Sequence, residues 1–443
     1  MRFTFFPVVV LLVTFIGGAY AEIPGDVAEF NLSNGIHVIT RTLDNNEIEG
    51  FSFFLIGGSA VLTRETQGLE RFALECAMTG SESYPGPELR ELMDRSRAEW
   101  TGTFNYDYSR YHLRCIEEDF GELLLAFGDC LMRPEMDEEA VERVRIRRME
   151  DLLEEKSDPD RWIWHVANDA FMPEDHTYRM LPDGTPETLA GFSADDARRM
   201  LDHRVRAGNI LLVHAGPTDP RELTHMLERA FGGISEGEDI VPPLEPFSIS
   251  RDTVVLEPRE TETAFAVVKF NAPPRNDPDY MAFRFAMSLV SDILWQVLRT
   301  EHALTYSTYA GVSSYRRNWG YMYVSSPDPA AACSLMADVM AGVIENPVDE
   351  DLVRGMVETE LTSMKMALAK KENQCWIMGE GYMRTGDWGS IFDDMEKASS
   401  LTAGDLSRVL RRWVGKGGWG VIADTSLVPV ESIRPWPLEG GGS

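Results

Sequence analysis

Residues 1–21, MRFTFFPVVVLLVTFIGGAYA, carry an apolar run from Phe5 to about Ile16 behind a single cation, Arg2, and close on Ala19-Tyr20-Ala21. The run is too short to cross a bilayer comfortably and ends in an A-x-A cleavage signal, so it reads as an export leader removed near Glu22. Beyond it, strand-length apolar stretches recur. FSFFLIGG (51–58) and FAVVKFNA (265–272) each end in a small-residue turn, and buried strands follow Gly-containing turns near 207–216 and 415–424. Helical patterns with acidic caps, Asp137-Glu138-Glu139 and Asp349-Glu350-Asp351, lie between them. No later segment is both long and free of charge, which predicts no further membrane span.

The pattern occurs twice. LMRPEMDEEAVERVRIRRMEDLLEE (131–155) matches VIENPVDEDLVRGMVETELTSMKMA (343–367), with Pro134 and Pro347 213 positions apart (347 − 134). FSADDARRMLDHRVRAGNILLVHAG (192–216) matches LTAGDLSRVLRRWVGKGGWGVIAD (401–424), with Asp196 and Asp405 209 apart (405 − 196). Matches in one order at nearly one offset indicate a duplicated domain. The acidic, Pro-rich SEGEDIVPPLEP is the natural linker. The predicted division is a leader 1–21, an N-terminal domain 22–236, a linker 237–248, a C-terminal domain 249–435 and a tail 436–443. The predicted fold class is α+β, two homologous halves, each a mostly antiparallel sheet packed with helices.

Composition sharpens this. The 443 residues carry 42 Lys+Arg against 72 Asp+Glu, a formal charge of −30, with 44% hydrophobic residues. That is a globular profile, and the charge excludes a phosphate backbone as partner because nucleic-acid affinity comes from basic side chains. Cys76, Cys115, Cys130, Cys333 and Cys375 form no C-x-x-C, so they read as small buried apolar residues. Gly415-Lys-Gly-Gly-Trp-Gly420 fits G-x-G-x-x-G, but it follows a helix and precedes a strand, the reverse of a dinucleotide site, and reads as a turn.

Several pieces fall in a telling order: LSNGIHVIT (32–40), GGSAV (57–61), GLERFALECAMTGS (68–81), FNYDYSRYHL (104–113), RPEMDEEAVERV (133–144) and HTYRMLPDGTPETLAGFSADD (176–196). NAPPRNDPDY (271–280) and LWQVLRTEHALTYSTYAG (294–311) follow in the second half. Over about residues 28–430 this order resembles the pitrilysin/insulinase family of zinc peptidases, the inverzincins. The resemblance implies a clamshell of two similar halves that pairs with another such chain around a peptide-binding chamber.

The family's chemistry rests on H-x-x-E-H plus a distal Glu, two His holding zinc while the Glu between activates water. The aligned positions here are Arg71, Leu74 and Glu75, with Met149 at the distal Glu. Arg71 has no lone pair to give a cation, and Leu74 takes no proton from water. Arg71 and Glu75 stand one turn apart, placed for an ion pair where the metal would sit. The remaining route to a metal is a rearranged set from Glu70, Glu75, His112 and Glu150. The family's second-half R-x6-Y spacing is retained as Arg299 and Tyr306. By the resemblance, the Tyr donates to the oxyanion on the scissile carbonyl while the Arg holds substrate backbone. Retained Arg/Tyr without the zinc motif resembles the non-catalytic subunit of two-chain bacterial peptidases. The expectation is therefore a periplasmic or secreted chain, inactive alone and carrying no cofactor, that binds peptide and completes the site of a zinc-bearing partner. The alternatives are a clamshell scaffold with no peptidase role and an active zinc peptidase with rearranged ligands.

Overall fold

The computed structural model describes residues 26–237, 244, 247–346 and 348–425. The expected leader, the tail and most of the linker lie outside these residues. Eleven described strands form two sheets. The first contains β1 (Val27–Asn31), β2 (His37–Thr42), β3 (Ile48–Ile56), β4 (Glu99–Phe104), β5 (Tyr108–Ile116) and β6 (Ile210–Gly216), in the order β1-β2-β6-β3-β5-β4. The second contains β7 (Thr253–Pro258), β8 (Ala264–Asn271), β9 (Ser307–Val312), β10 (Trp319–Ser326) and β11 (Gly417–Ala423), in the order β7-β11-β8-β10-β9. Without β1 the two orders are the same, and the single parallel pair of each sheet, β2–β6 and β7–β11, falls at the same place. The predicted α+β class with mostly antiparallel sheets is what the chain adopts, and the internal repeat is a repeat of topology.

The apolar runs in β3 and β8 do not alternate with polar residues because both faces of each sheet are covered. On one face Phe51, Phe53 and Leu55 pack with Phe72, Phe127 and Phe231 from the first half's own helices. On the other, Phe54 packs with Cys375 and Met378 of the Lys371–Thr385 helix, which belongs to the second half. The exchange is reciprocal. The Pro159–Phe171 helix of the first half lays Ile163, Val166 and Ala167 on Val267, Tyr323 and Ile422 of the second sheet. Their starts lie 212 positions apart (371 − 159), so equivalent helices are traded and each half closes the other's core.

That trade corrects the reading of the glycine-rich segment. Gly417–Gly420 is the start of β11, not a turn. A Cβ on Gly418 or Gly420 would lie 2.7 or 2.4 Å from backbone atoms of the Pro159–Phe171 helix, so the glycines permit direct contact of helix and strand backbones. Asp137 and Asp349 cap their helices as expected, accepting from the backbone N–H groups of Ala140 and Asp351. All five cysteines are buried free thiols.

Residues Tyr280–Glu301 make a helical stretch long and apolar enough to cross a bilayer by length and composition. Its Phe283, Phe285, Met287, Leu289 and Val290 are buried in the second half's core, so packing on several sides explains the composition. The linker is also more engaged than its composition suggests, because Leu244 and Phe247 pack beside Phe171, Tyr178 and Trp319.

Candidate functional site

The helix Leu69–Ala77 follows β3 and carries the positions where the zinc motif would lie. Leu69, Phe72, Ala73, Leu74 and Cys76 form its buried face. Leu74 has no exposed surface and packs in the first core, leaving the general-base position apolar. Arg71 and Glu75 share the neighbouring stripe, with Arg71 Nε 2.9 Å from Glu75 Oε1. Arg71 also pairs with Asp183 and stacks over the Phe104 ring at 4.7 Å. Two arginines from the Glu138–Ser157 helix complete the cluster. Arg147 Nη2 lies 2.9 Å from Glu75 Oε2, and buried Arg148 lies 2.7 Å from Asp183 and 2.6 Å from Asp151. Burial and the neighbouring Arg71 charge pull the Arg148 pKa down, opposed by the carboxylates around it. Three guanidiniums and three carboxylates thus close on one another.

Zinc needs lone pairs, and these residues do not fit it. Arg71 offers none, and Arg147 and Arg148 add positive charge where a cation would stand. Met149 is half-buried and packs against the first core, while adjacent Arg148 is the residue turned inward. Sequence spacing missed Arg147, Arg148 and Asp183 because the partners come from separate elements, 112 positions apart for Arg71 and Asp183.

The alternative ligands do not gather. Glu70 is buried with Arg204 at 3.1 Å and Ser109 Oγ at 2.6 Å, and burial pushes its carboxyl pKa up against the Arg204 charge. His112 lies on the face of the first sheet that the Lys371–Thr385 helix covers, its Nδ1 3.0 Å from Ser52 Oγ. Burial, reinforced by Arg110 and Arg114, takes its pKa down to about 3. Glu150 is exposed. Among the described residues, no group of three or more His, Cys, Asp or Glu is placed to hold a metal.

In the second half the corresponding helix follows β8 and runs past Leu294 into a widened π-type turn, Trp295–Glu301. The wide turn is seen in the His302 N–H donating to the Val297 carbonyl at 3.1 Å, five residues back. Arg299 stands in this turn between two rings, 4.7 Å from the Trp295 centroid and 4.5 Å from that of Tyr306. It also donates to the Tyr306 carbonyl. Tyr306 is 83% exposed, just before β9, and its hydroxyl has no hydrogen-bond partner among the described residues. Ala303 between them has φ 50°, a left-handed conformation that costs a non-glycine residue about 1 kcal/mol. The structure therefore brings Arg299 and Tyr306 together. Trp295 and the Ala303 strain were missed, although a Trp one turn before Arg299 was a readable signal.

Comparison with known proteins places this geometry among relatives. Residues 191–359 match the family pattern described as "Peptidase M16 inactive domain". Subunit 1 of the Bos taurus mitochondrial cytochrome b-c1 complex is 19% identical over 276 residues, 61% of this chain and 57% of that protein. The beta subunit of the Saccharomyces cerevisiae mitochondrial-processing peptidase is 18% identical over 281 residues, 61% of this chain and 59% of that protein. The chain thus spans less than two thirds of the length of either. A crystal structure described as a peptidase M16 inactive domain from Pseudomonas fluorescens superposes with a TM-score of 0.82 at 13% identity, covering 90% of this chain and 98% of that one. That likeness shows the clamshell fold.

Proposed function

Because the chain belongs to the pitrilysin/insulinase family of peptidases, we propose that it is the non-catalytic subunit of an exported, two-chain metallopeptidase. The carrying observation is the Arg299–Tyr306 pair, with the guanidinium held between the Trp295 and Tyr306 rings and the phenol exposed at the surface. In the assembled enzyme a zinc-bearing chain of the same family supplies metal and general base. The Tyr306 hydroxyl donates to the oxygen that gains charge on the scissile carbonyl, and the Arg299 guanidinium holds a substrate backbone carbonyl. A donor aimed at developing charge must be unspent in the resting protein, and the Tyr306 hydroxyl has no partner among the described residues. The chain acts outside the cytoplasm, in the periplasm or secreted, after its leader is removed.

The test is co-purification with the zinc-bearing family chain from the same source, followed by peptide cleavage assays. Tyr306→Phe lowers kcat of the complex by about 100-fold, the cost of one oxyanion donor, with assembly unchanged. Full activity in both Tyr306→Phe and Arg299→Ala refutes the reading. A scaffold role has one observation behind it, the similarity to a respiratory-complex subunit. It predicts that both variants leave every property of the complex intact.

A further inference from the structure

Beside the traded helices, between the halves, lies an open cavity of about 620 Å³. From the first half it is lined by Tyr106 and Arg110, and by Trp164 and Asn168 of the traded Pro159–Phe171 helix; from the second, by Lys269 of β8 and Trp319 of β10. Lys269 is 2% exposed and forms no ion pair among the described residues. Its ammonium donates to Asn168 Oδ1 and lies 4.9 and 5.6 Å from the Trp319 and Trp164 ring centroids. The Asn168 amide is oriented in turn by donating to the Tyr106 hydroxyl at 3.1 Å. Arg110, the second cation, bonds Ser52 Oγ at 3.0 Å and likewise forms no ion pair among the described residues.

A buried Lys269 with no ion-pair partner among the described residues, in a chain of net charge −30, calls for a physical reason, since an unpaired buried charge is costly. The carboxylates on the same lining do not serve. Glu380 is engaged by the Tyr108 hydroxyl at 2.7 Å and Arg384 at 3.0 Å, and Glu372 is solvent-exposed and forms no ion pair with Lys269. Uncompensated burial takes the Lys269 pKa down to about 7. Aromatic walls, a volume in the range of small-ligand sites and an oriented amine without an anion make a built receptor.

We propose that this cavity binds a carboxylate carried on an apolar or aromatic body, with Lys269 as its counter-ion and Trp164 and Trp319 as its walls. The source is a free small organic acid or the C-terminus of a peptide, and both present the same group. The site is independent of Arg299 and Tyr306 and of any partner chain.

Calorimetric titration of the purified full chain tests it, with 3-phenylpropionate, its amide, and the tripeptide Gly-Gly-Phe with a free or amidated C-terminus as probes. The acid saturates at one site per chain, and the amide binds about tenfold more weakly or worse. Lys269→Met weakens the acid by about the same factor and leaves the amide unchanged. At about pH 8.5 binding takes up a proton, read from the dependence of the heat on buffer, because the carboxylate restores the ammonium. That readout needs no variant, so it stands even where Lys269→Met fails to fold. Tighter binding of the free tripeptide assigns the site to peptide ends, and tighter binding of phenylpropionate assigns it to small acids. No saturable binding by either acid, or equal binding of acid and amide, overturns the proposal.

Discussion

The helix after β3 and the helix after β8 occupy the same place in the two halves, and they treat charge in opposite ways. Around Leu69–Ala77, Arg71, Glu75, Asp183, Arg147 and Arg148 bind one another until little of their charge is free. Past Leu294, Arg299 and Tyr306 touch each other and face solvent. Side chains that neutralise one another hold a fold together. Side chains held in position with donors unspent are set for a ligand. The first half spends its charges on one another, and the second keeps a polar pair available.

Substitutions separate the two regions by what they damage. The largest effect comes from placing a carboxylate in the first half's core. Leu74→Glu places a carboxylate at a fully buried position, and denaturant unfolding should show a loss of about 4 kcal/mol or outright failure to fold. A stably folded Leu74→Glu chain would show that the pocket still admits water. Next is Asp183→Asn, which leaves Arg148 buried with Asp151 alone and frees Arg71 from one partner. Because Asp183 is partly exposed, the expected cost is about 2 kcal/mol, below that of breaking a fully buried pair. A cost near zero would make the cluster ordinary surface pairing, and the contrast between the halves would lapse.

The traded helices offer a matched test. Each covers one buried base, His112 on the first sheet and Lys269 on the second, and both folded pKa values lie below the unfolded ones. For a base this means the unfolded chain binds the proton more tightly, so stability rises with pH. The His112 contribution is present above about pH 6.5 and is lost as pH falls towards 3. The Lys269 penalty is full below about pH 7 and relieved as pH rises towards 10.5. His112→Gln should flatten the acid limb of the stability curve and Lys269→Met the alkaline limb. Flattening of both limbs by one variant would break the equivalence.

Periodicity and turn residues made the duplication legible, since each half repeats a strand, an acidic cap and a helix at nearly one offset. They could not reveal the helix trade, because the Pro159–Phe171 pattern has an apolar face and nothing in it names the sheet it covers. Gly418 and Gly420 carried that information, but a glycine needed for close approach looks the same in sequence as one needed for a turn. Lys269 was visible as a cation inside FAVVKFNA, yet alternation alone would send it to solvent. Only the traded helix makes its face an interior one. The charge cluster was half legible: Arg71 and Glu75 are local, whereas Asp183 and Arg148 come together only through the fold.

The smallest expected effect bears most directly on the contrast. Arg299→Ala removes two ring contacts and a backbone hydrogen bond on a half-exposed turn, so it should cost about 1 kcal/mol. Tyr306→Phe keeps the ring under Arg299 and removes only a hydroxyl with no partner among the described residues. Its effect on the stability of the isolated chain should stay within about 0.5 kcal/mol. The same substitution is the one expected to cost the assembled enzyme most of its turnover. Stability and activity therefore separate at a single oxygen atom, and unfolding midpoints of wild type and variant, measured beside their rates in the complex, decide the matter. A loss of more than about 1 kcal/mol in the isolated chain would mean that the hydroxyl is already committed to the fold. The second half would then resemble the first, a polar pair absorbed into structure.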